Sequence, residues 1–264
     1  MAGSPVGGFL YSIQPWLPFL VSAVMYALAG AAAMGIRDGA ATDGHDDGAR
    51  IGKPRSSFLH DFAEGWLWSL RRKPLVVILI VAALVNFGIN GIQYAIQLHM
   101  VMNGTNATGI GCISGGISLA MLIGSFLAGK LSDRVPVGPT VCLAYVFMCM
   151  CAVPMIFTDN YWTVLIANSF IGLPFPIINA LLLGFIFAKS PITMQGRITV
   201  TLTVPAQVLS SFCSGAAGTL LPILGFRGTV LAFLIVVAVS SCMAICCRPI
   251  RHIPRSAEWG SVDL

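Results

Sequence analysis

Charge is scarce in this sequence. Only 9% of the 264 residues are Asp, Glu, Lys or Arg, whereas 56% are hydrophobic and the mean hydropathy is +0.85. A soluble domain carries roughly a quarter charged residues, so this chain cannot cover a surface in water, and lipid is its natural solvent. The composition excludes a single soluble core and predicts an all-α polytopic membrane protein in contact with the lipid bilayer.

Residue clusters that carry chemistry are missing as well. No paired carboxylates, nucleophile–base pair or metal-ligand cluster falls on a shared face, so we expect neither an enzyme nor a metal or cofactor. The eight cysteines lie in or beside apolar runs without a C-x-x-C pair, which is typical of small buried hydrophobic residues. The net charge of +5 is spread over short turns, so no nucleic-acid partner is expected.

Long apolar runs divide the chain. Seven of them have roughly the 20 residues that a helix needs to cross a bilayer. The predicted spans are 16–36, 75–102, 109–129, 138–157, 161–187, 197–221 and 228–247. Residues 3–15 look like the second half of a further helix, which predicts that the chain is the later part of a longer protein.

The spans and the segments between them define four regions. Residues 1–36 hold the partial helix and the first span, and 37–74 form a predicted cytoplasmic loop. Within that loop, apolar residues recur every four positions over 56–74, which predicts an amphipathic helix in the membrane interface. Residues 75–247 form a six-helix unit, and 248–264 form a polar tail that we expect to be loose.

The basic residues predict the orientation of the chain. The loop 37–74 and every second join after it hold 14 of the 15 Lys and Arg residues, and only Arg227 lies on the other side. Cytoplasmic loops of membrane proteins carry an excess of Lys and Arg. We therefore expect a multi-pass protein of the cell membrane, with its N-terminus outside and its C-terminus in the cytoplasm.

A row of amides on the second span is the best candidate for a substrate-binding surface. Its spacings of 4, 3 and 4 residues place all four amides on one helical face. The row consists of Asn86, Asn90, Gln93 and Gln97. Such side chains are costly in lipid, so the row lines a cavity or forms hydrogen bonds between helices. Three polar residues on later spans are further candidates for the same cavity: Asn168, Asn179 and Gln207.

Small residues and prolines predict where helices pack and bend. Four small residues at four-residue steps on the third span predict a close helix contact; they are Gly116, Ala120, Gly124 and Ala128. Ser211, Gly215 and Gly218 predict a similar face on the sixth span. The fifth span is interrupted by Gly172, Pro174 and Pro176, which predicts a bend that serves as a hinge or is merely structural.

One charged turn between two spans resembles a family signature. The segment Gly129-Lys-Leu-Ser-Asp133-Arg134 resembles the G-x-L-a-D-r-x-G motif of the major facilitator superfamily, although Pro136 stands where the family has glycine. The resemblance implies a gating role for Gly129, Asp133 and Arg134. The alternative is a turn whose charges only fix the topology.

Three further stretches are similar to the same family. GSPVGG at 3–8 resembles the end of an antiporter signature on helix five, and 65–75 resembles the lead into helix seven of enterobactin-exporter-like proteins. Residues 195–228 look like helix eleven and its outer turn. Together these similarities imply the C-terminal portion of a major facilitator transporter, from within helix five to helix twelve.

The resemblance implies export of small hydrophobic or siderophore-like compounds by alternating access. The uncharged span interiors offer no proton carrier, so a coupling carboxylate would lie elsewhere. One alternative is a non-transporting remnant, or a half that needs a partner chain or a second copy of itself. A remote alternative is a seven-helix receptor, although the last span lacks a lysine for retinal and no D-R-Y follows the third span.

Overall fold

The computed structural model of the chain describes residues 7, 10, 11, 13–34, 73–132, 134–190, 195–255 and 259. These residues form helices and short turns, without strands among them. The helices are α1 (Leu17–Met34), α2 (Lys73–Met102), α3 (Ala107–Leu131), α4 (Val137–Ala152), α5 (Pro154–Phe157), α6 (Tyr161–Gly172), α7 (Phe175–Ala188), α8 (Gln195–Cys246) and α9 (Arg248–Arg251). The all-helical prediction is confirmed for this part of the chain.

Five apolar helical stretches among the described residues are long enough to cross a bilayer. They are Leu75–Met102, Ala107–Leu131, Val137–Phe157, Tyr161–Ala188 and Ile198–Cys246. The apolar part of α1, Leu17–Ala32, is shorter. The predicted count of seven spans is therefore not confirmed, although the membrane character of the helices is.

A break in the backbone at Gly225 relates the single long helix α8 to the two spans predicted for this part of the chain. Gly225 has φ 68° and ψ 179°, so it separates α8 into two helical segments, 195–224 and 226–246. A positive φ favours glycine because it has no Cβ. The two segments correspond to the two predicted spans 197–221 and 228–247. Their predicted connecting loop is helical except for this break.

Prolines divide two further predicted spans. Pro154 begins α5 directly after the end of α4, so the span 138–157 consists of two helical pieces. Likewise, the span 161–187 consists of α6 and α7, which are separated at Leu173 and Pro174. Proline lacks the backbone N–H that would continue the helical ladder.

The core is built on close contacts between α2 and the second segment of α8. Ile92 and Val237 are fully buried, and Phe233 is only 2% exposed. A Cβ added at Gly88 would collide with Val237, and one added at Gly91 would collide with the Phe233 ring. The two glycines therefore allow α2 and α8 to pack closely, as small residues do between membrane helices.

The outer surface of the bundle is apolar, as contact with lipid requires. Leu143 is 70% exposed and Phe126 is 68% exposed, on α4 and α3 respectively. A soluble protein rarely carries large exposed apolar surfaces of this kind. In α1, Phe19 and Tyr26 are 73% and 80% exposed.

The C-terminal tail differs from its predicted loose form. Ile250 and Ile253 are 2% and 3% exposed, and the N–H of Gly138 at the start of α4 donates to the carbonyl of Ile253 at 3.1 Å. Within the tail, residues 248–255 are folded, because their apolar side chains and carbonyl groups find partners at the ends of other helices. The predicted amphipathic helix at 56–74 lies outside the described residues, except for 73 and 74, which begin α2.

Candidate functional site

One hydrogen bond joins two of the predicted cavity residues. The side-chain Nε2 of Gln93 on α2 donates to Oδ1 of Asn168 on α6 at 2.6 Å. Asn168 is fully buried, and its Nδ2 has no hydrogen-bond partner among the described residues. A buried donor without a partner costs about 1–3 kcal/mol. The site therefore contains one satisfied polar contact and one buried donor without a described partner.

The other amides of α2 behave differently. Nδ2 of Asn86 donates to the carbonyl of Ala82 at 2.8 Å, and Nδ2 of Asn90 donates to the carbonyl of Asn86 at 2.9 Å. Both asparagines are half-buried, whereas Gln97 is exposed. The row is therefore not a continuous hydrogen-bond network between helices, because only Gln93 reaches another helix in the described part of the chain.

A second polar row follows the first segment of α8. Its members are exposed and recur at spacings of 4, 4 and 3 residues, which places them along one face of the helix. They are Thr203, Gln207, Ser211 and Ser214. The sequence prediction included Gln207 as a cavity residue and Ser211 as a packing residue, but it missed Thr203 and Ser214. The helical spacing that identified the amides of α2 also identifies this row.

The two polar rows lie on helices that touch each other. Sγ of Cys213 on α8 is 3.1 Å from the carbonyl oxygen of Phe87 on α2. Cys213 precedes Ser214 in the sequence, and Phe87 follows Asn86. This contact places the first segment of α8 against α2, and the bond from Gln93 to Asn168 joins α2 to α6.

Asn179 is not part of this neighbourhood by any observed contact. It lies on α7 beyond the break at Leu173 and Pro174, and its side chain is exposed. Among the described residues, no hydrogen bond connects Asn179 to the other predicted cavity residues. The predicted set is thus only partly brought together.

The predicted packing face of α3 lies against the break between α6 and α7. A Cβ added at Gly124 would collide with the carbonyl oxygen of Leu173 and would lie 3.3 Å from Cδ of Pro176. On the other side of the contact, a Cβ at Gly172 would lie 2.8 Å from the carbonyl oxygen of Ile117.

The remaining members of these two predicted sets lie nearby. Gly116 faces Ser169 of α6, because a Cβ added there would collide with the serine hydroxyl. Ala120 and Ala128 are buried on α3, and Pro174 is buried at the break itself. The predicted packing face and the predicted hinge are therefore in direct contact.

The sixth span places its small residues differently from α3. Ser211, Gly215 and Gly218 are exposed, and a Cβ added at either glycine would meet no atom within 4 Å. No other described helix covers this face of α8. A pattern of small residues therefore predicted helix packing on both α3 and α8, but among the described helices only the face on α3 is covered.

The residues of the predicted gating motif lie at the α3–α4 turn. Gly129 is exposed, and a Cβ there would meet no atom within 4 Å. Arg134 is exposed, and its backbone N–H donates to the carbonyl of Leu131 at 2.9 Å. Asp133 lies outside the described residues, and Pro136 is the N-cap of α4.

An apolar groove of about 440 Å³ lies apart from the amides. It lies between α3, α4 and the break between α6 and α7, and its lining includes Leu131, Phe147 and Ile177. None of the predicted cavity amides lines it, although Pro174 of the predicted hinge does. Its almost wholly apolar lining suits contact with lipid tails.

The opposite end of the bundle from the α3–α4 turn carries an ion pair. Arg227, just after the Gly225 break, donates to Oδ1 of Asp159 at 3.2 Å, and both side chains are about half exposed. The hydrogen bond from Arg227 lowers the pKa of Asp159 below its usual value. Next to it, the His99 ring stacks on Phe226 with centroids 4.2 Å apart. The sequence prediction placed Arg227 alone on this side and missed its partner.

These features define a class of protein. Long apolar helices, an apolar outer surface and polar residues gathered on neighbouring helices are typical of a multi-pass membrane protein that carries solutes. The sequence profile of the Major Facilitator Superfamily matches residues 1–199 and 95–263. The chain belongs to the major facilitator superfamily, and it is a membrane transporter of that type rather than an enzyme. No curated relative matches the sequence.

Proposed function

We propose that this transporter exports small hydrophobic or siderophore-like compounds by alternating access. The observation that carries the proposal is the contact between Gln93 and Asn168, where a fully buried amide keeps one donor without a partner. Transporter binding sites lie near the middle of the membrane, between helices that move relative to each other. Because Asn168 is fully buried in this conformation, its donor reaches a carbonyl, ether or hydroxyl oxygen of a substrate only after the helices move apart.

The composition of the spans supports an uncharged or weakly charged substrate. The sequence contains no Asp, Glu, Lys or Arg within 75–129, 138–158, 160–188, 198–226 or 228–247. A cavity lined by amides, hydroxyls and apolar side chains binds a hydrophobic molecule through a few polar contacts. A free carboxylate or ammonium would find no opposite charge there.

We assign a role in transport to each of the four predicted regions. Residues 75–247 form the six-helix half that supplies α2, α6 and α8 to the cavity, and 1–36 belong to the other half. Residues 37–74 connect the halves in the cytoplasm, and 248–264 form the cytoplasmic tail of a protein in the cell membrane. In this arrangement the N-terminus lies outside, as the distribution of Lys and Arg predicts.

A transport assay tests the proposal. The full chain, reconstituted in vesicles, is expected to move fluorescent hydrophobic dyes or an iron-free siderophore, and Asn168→Ala is expected to slow transport by about ten-fold or more. That factor corresponds to one lost hydrogen bond of about 1.4 kcal/mol. Ser125→Ala is a matched control, because Ser125 is exposed on α3 and bonds only its own helix. Folded protein that moves none of these compounds would exclude the export function.

A second candidate is a transporter that functions only with a partner. The open face of α8 at Ser211, Gly215 and Gly218 favours it, because small residues in register accept a second helix at close range. The occupant would be another half-transporter chain or a second copy of this one. Cross-linking of cysteines introduced at positions 215 and 218 would detect a second copy.

A further inference from the structure

The C-terminal tail docks on the first turn of α4. The N–H groups of Val137 and Gly138 donate to the carbonyls of Pro254 and Ile253 at 3.5 and 3.1 Å. The N-cap of α4 is Pro136, whose side chain makes no capping bond. The tail therefore satisfies backbone donors that a helix start otherwise leaves to a capping side chain or to water.

Close packing fixes the position of the tail. A Cβ added at Gly138 would collide with the backbone carbonyls of Ile250 and Arg251, so the tail crosses α4 where there is no side chain. Further along the tail, Trp259 packs edge-on against Phe185 of α7 with ring centroids 5.8 Å apart. Nε1 of Trp259 donates to the carbonyl of Pro254 at 3.2 Å. The tail thereby connects the ends of α4, α7 and α8.

This docking gathers cations from four elements at one end of the bundle. Arg134 lies three residues before Val137, whose N–H meets the tail, and Arg255 follows Pro254, whose carbonyl accepts that bond. Lys189 lies one turn beyond Phe185, which contacts Trp259. The six cations are Lys130, Arg134, Lys189, Arg248, Arg251 and Arg255, and all but the half-buried Lys189 are exposed. The sequence adds three acidic residues in the turn and the tail, Asp133, Glu258 and Asp263, which leaves a positive excess.

We propose that the docked tail and the α3–α4 turn form a binding surface for the headgroups of anionic phospholipids. We name it the basic surface. Its cations lie at the ends of apolar helices, which is the depth of lipid headgroups in a bilayer. Basic residues close to a membrane surface are attracted to anionic lipids, and arginine binds phosphate with paired hydrogen bonds. The proposal rests on the membrane location of the chain and is independent of transport.

Lipid nanodiscs test the basic surface. The melting temperature of the full chain is measured in phosphatidylcholine with increasing fractions of phosphatidylglycerol. Wild-type protein is expected to melt at higher temperature as the anionic fraction rises. The triple variant Arg248→Gln/Arg251→Gln/Arg255→Gln is expected to lose most of this rise in melting temperature, since three cations that each contribute roughly five-fold to the attraction are removed. Arg227→Gln, at the other end of the bundle, is expected to keep the wild-type response.

A second variant separates charge from tail docking. Gly138→Val keeps every cation but places side-chain atoms where the tail carbonyls of Ile250 and Arg251 lie. It is expected to lose most of the phosphatidylglycerol shift while still melting cooperatively in phosphatidylcholine. If it does not fold, Trp259→Ala replaces it, because that change removes the contact with Phe185 and the bond to Pro254.

Three results would overturn the proposal. The first is a triple variant with the wild-type phosphatidylglycerol response, and the second is a folded tail-docking variant with that response. The third is an equal shift produced by inorganic phosphate in phosphatidylcholine discs, which would identify a soluble anion instead of a lipid headgroup.

Discussion

Gln93 and Asn168 lie 75 residues apart in sequence, and Nε2 of Gln93 donates to Oδ1 of Asn168 at 2.6 Å. The bond ties α2 to α6, while Nδ2 of Asn168 is buried without a described partner. A half-satisfied buried amide lowers stability. A transporter gains from such a group when its missing partner is a substrate, because the hydrogen bond then forms only on binding.

The contact between these amides predicts a non-additive effect on stability. Asn168→Leu leaves the Gln93 amide without its acceptor, and we expect a loss of about 1–2 kcal/mol in the free energy of unfolding. Adding Gln93→Leu removes the second polar group, so the double variant should be more stable than either single variant. Thermal melting in detergent compares the wild type, the two single variants and the double variant. If the double variant loses as much stability as the two single variants together, the amides do not interact.

The contact between α3 and the α6–α7 break predicts a size limit at Gly124. A single methyl group at this position meets the carbonyl oxygen of Leu173, which belongs to the backbone and cannot rotate away. We expect Gly124→Ala to destabilise the protein by about 1–3 kcal/mol, as overpacking does. Melting curves measure the change.

Gly129→Ala is the matched control for this prediction. Gly129 lies near the end of the same helix, and a Cβ there meets no atom within 4 Å. Its substitution should change stability by less than about 0.5 kcal/mol. Equal effects at the two positions would mean that the close approach of α3 to Leu173 is not what limits residue size.

The sequence predicted α2 and α3 well because their signal is local, although the predicted count of seven spans is not confirmed. Apolar runs of about 20 residues mark spans regardless of the rest of the chain, and α2 and α3 agree with the predicted spans to within two residues at each end. The sequence also predicted an interruption between 221 and 228, and the structure confines it to the single residue Gly225. The resemblance of the α3–α4 turn to the superfamily motif agrees with the family match.

The candidate site was less predictable because its contacts are not local. Helical spacing placed Gln93 on a polar face, yet nothing in the sequence indicated that it alone would reach Asn168. The docking of the tail was missed for a similar reason. Ile250 and Ile253 are two apolar residues in a polar segment, and they are buried where that segment crosses the first turn of α4.

The pair of Asp159 and Arg227 predicts a small, pH-dependent contribution to stability. The pKa of Asp159 is lowered in the folded protein, mainly by the hydrogen bond from Arg227. The contribution is therefore present above the unfolded pKa of about 4 and is lost as the pH falls through the lower folded pKa. Because both side chains are half exposed, it should not exceed about 1 kcal/mol.

Melting as a function of pH checks this expectation. Arg227→Gln should reduce the loss of stability between pH 5 and pH 3, and high salt should weaken the contribution in the wild type. An Arg227→Gln variant whose acid destabilisation equals that of the wild type would show that the pair does not stabilise the folded protein.

The backbone conformation at the break in α8 predicts that replacing Gly225 lowers the stability of the protein. Its φ of 68° combined with a ψ of 179° is a conformation that essentially only glycine adopts. A Cβ at this position meets no atom within 4 Å, so any effect of Gly225→Ala comes from the backbone and not from a collision. We expect a loss of about 1–3 kcal/mol in the free energy of unfolding, measured in melting experiments.

Gly30→Ala is the matched control, because Gly30 lies inside α1 in equally open space and alanine favours the helix. A Gly225→Ala variant as stable as the wild type would mean that the two segments of α8 can join into one continuous helix.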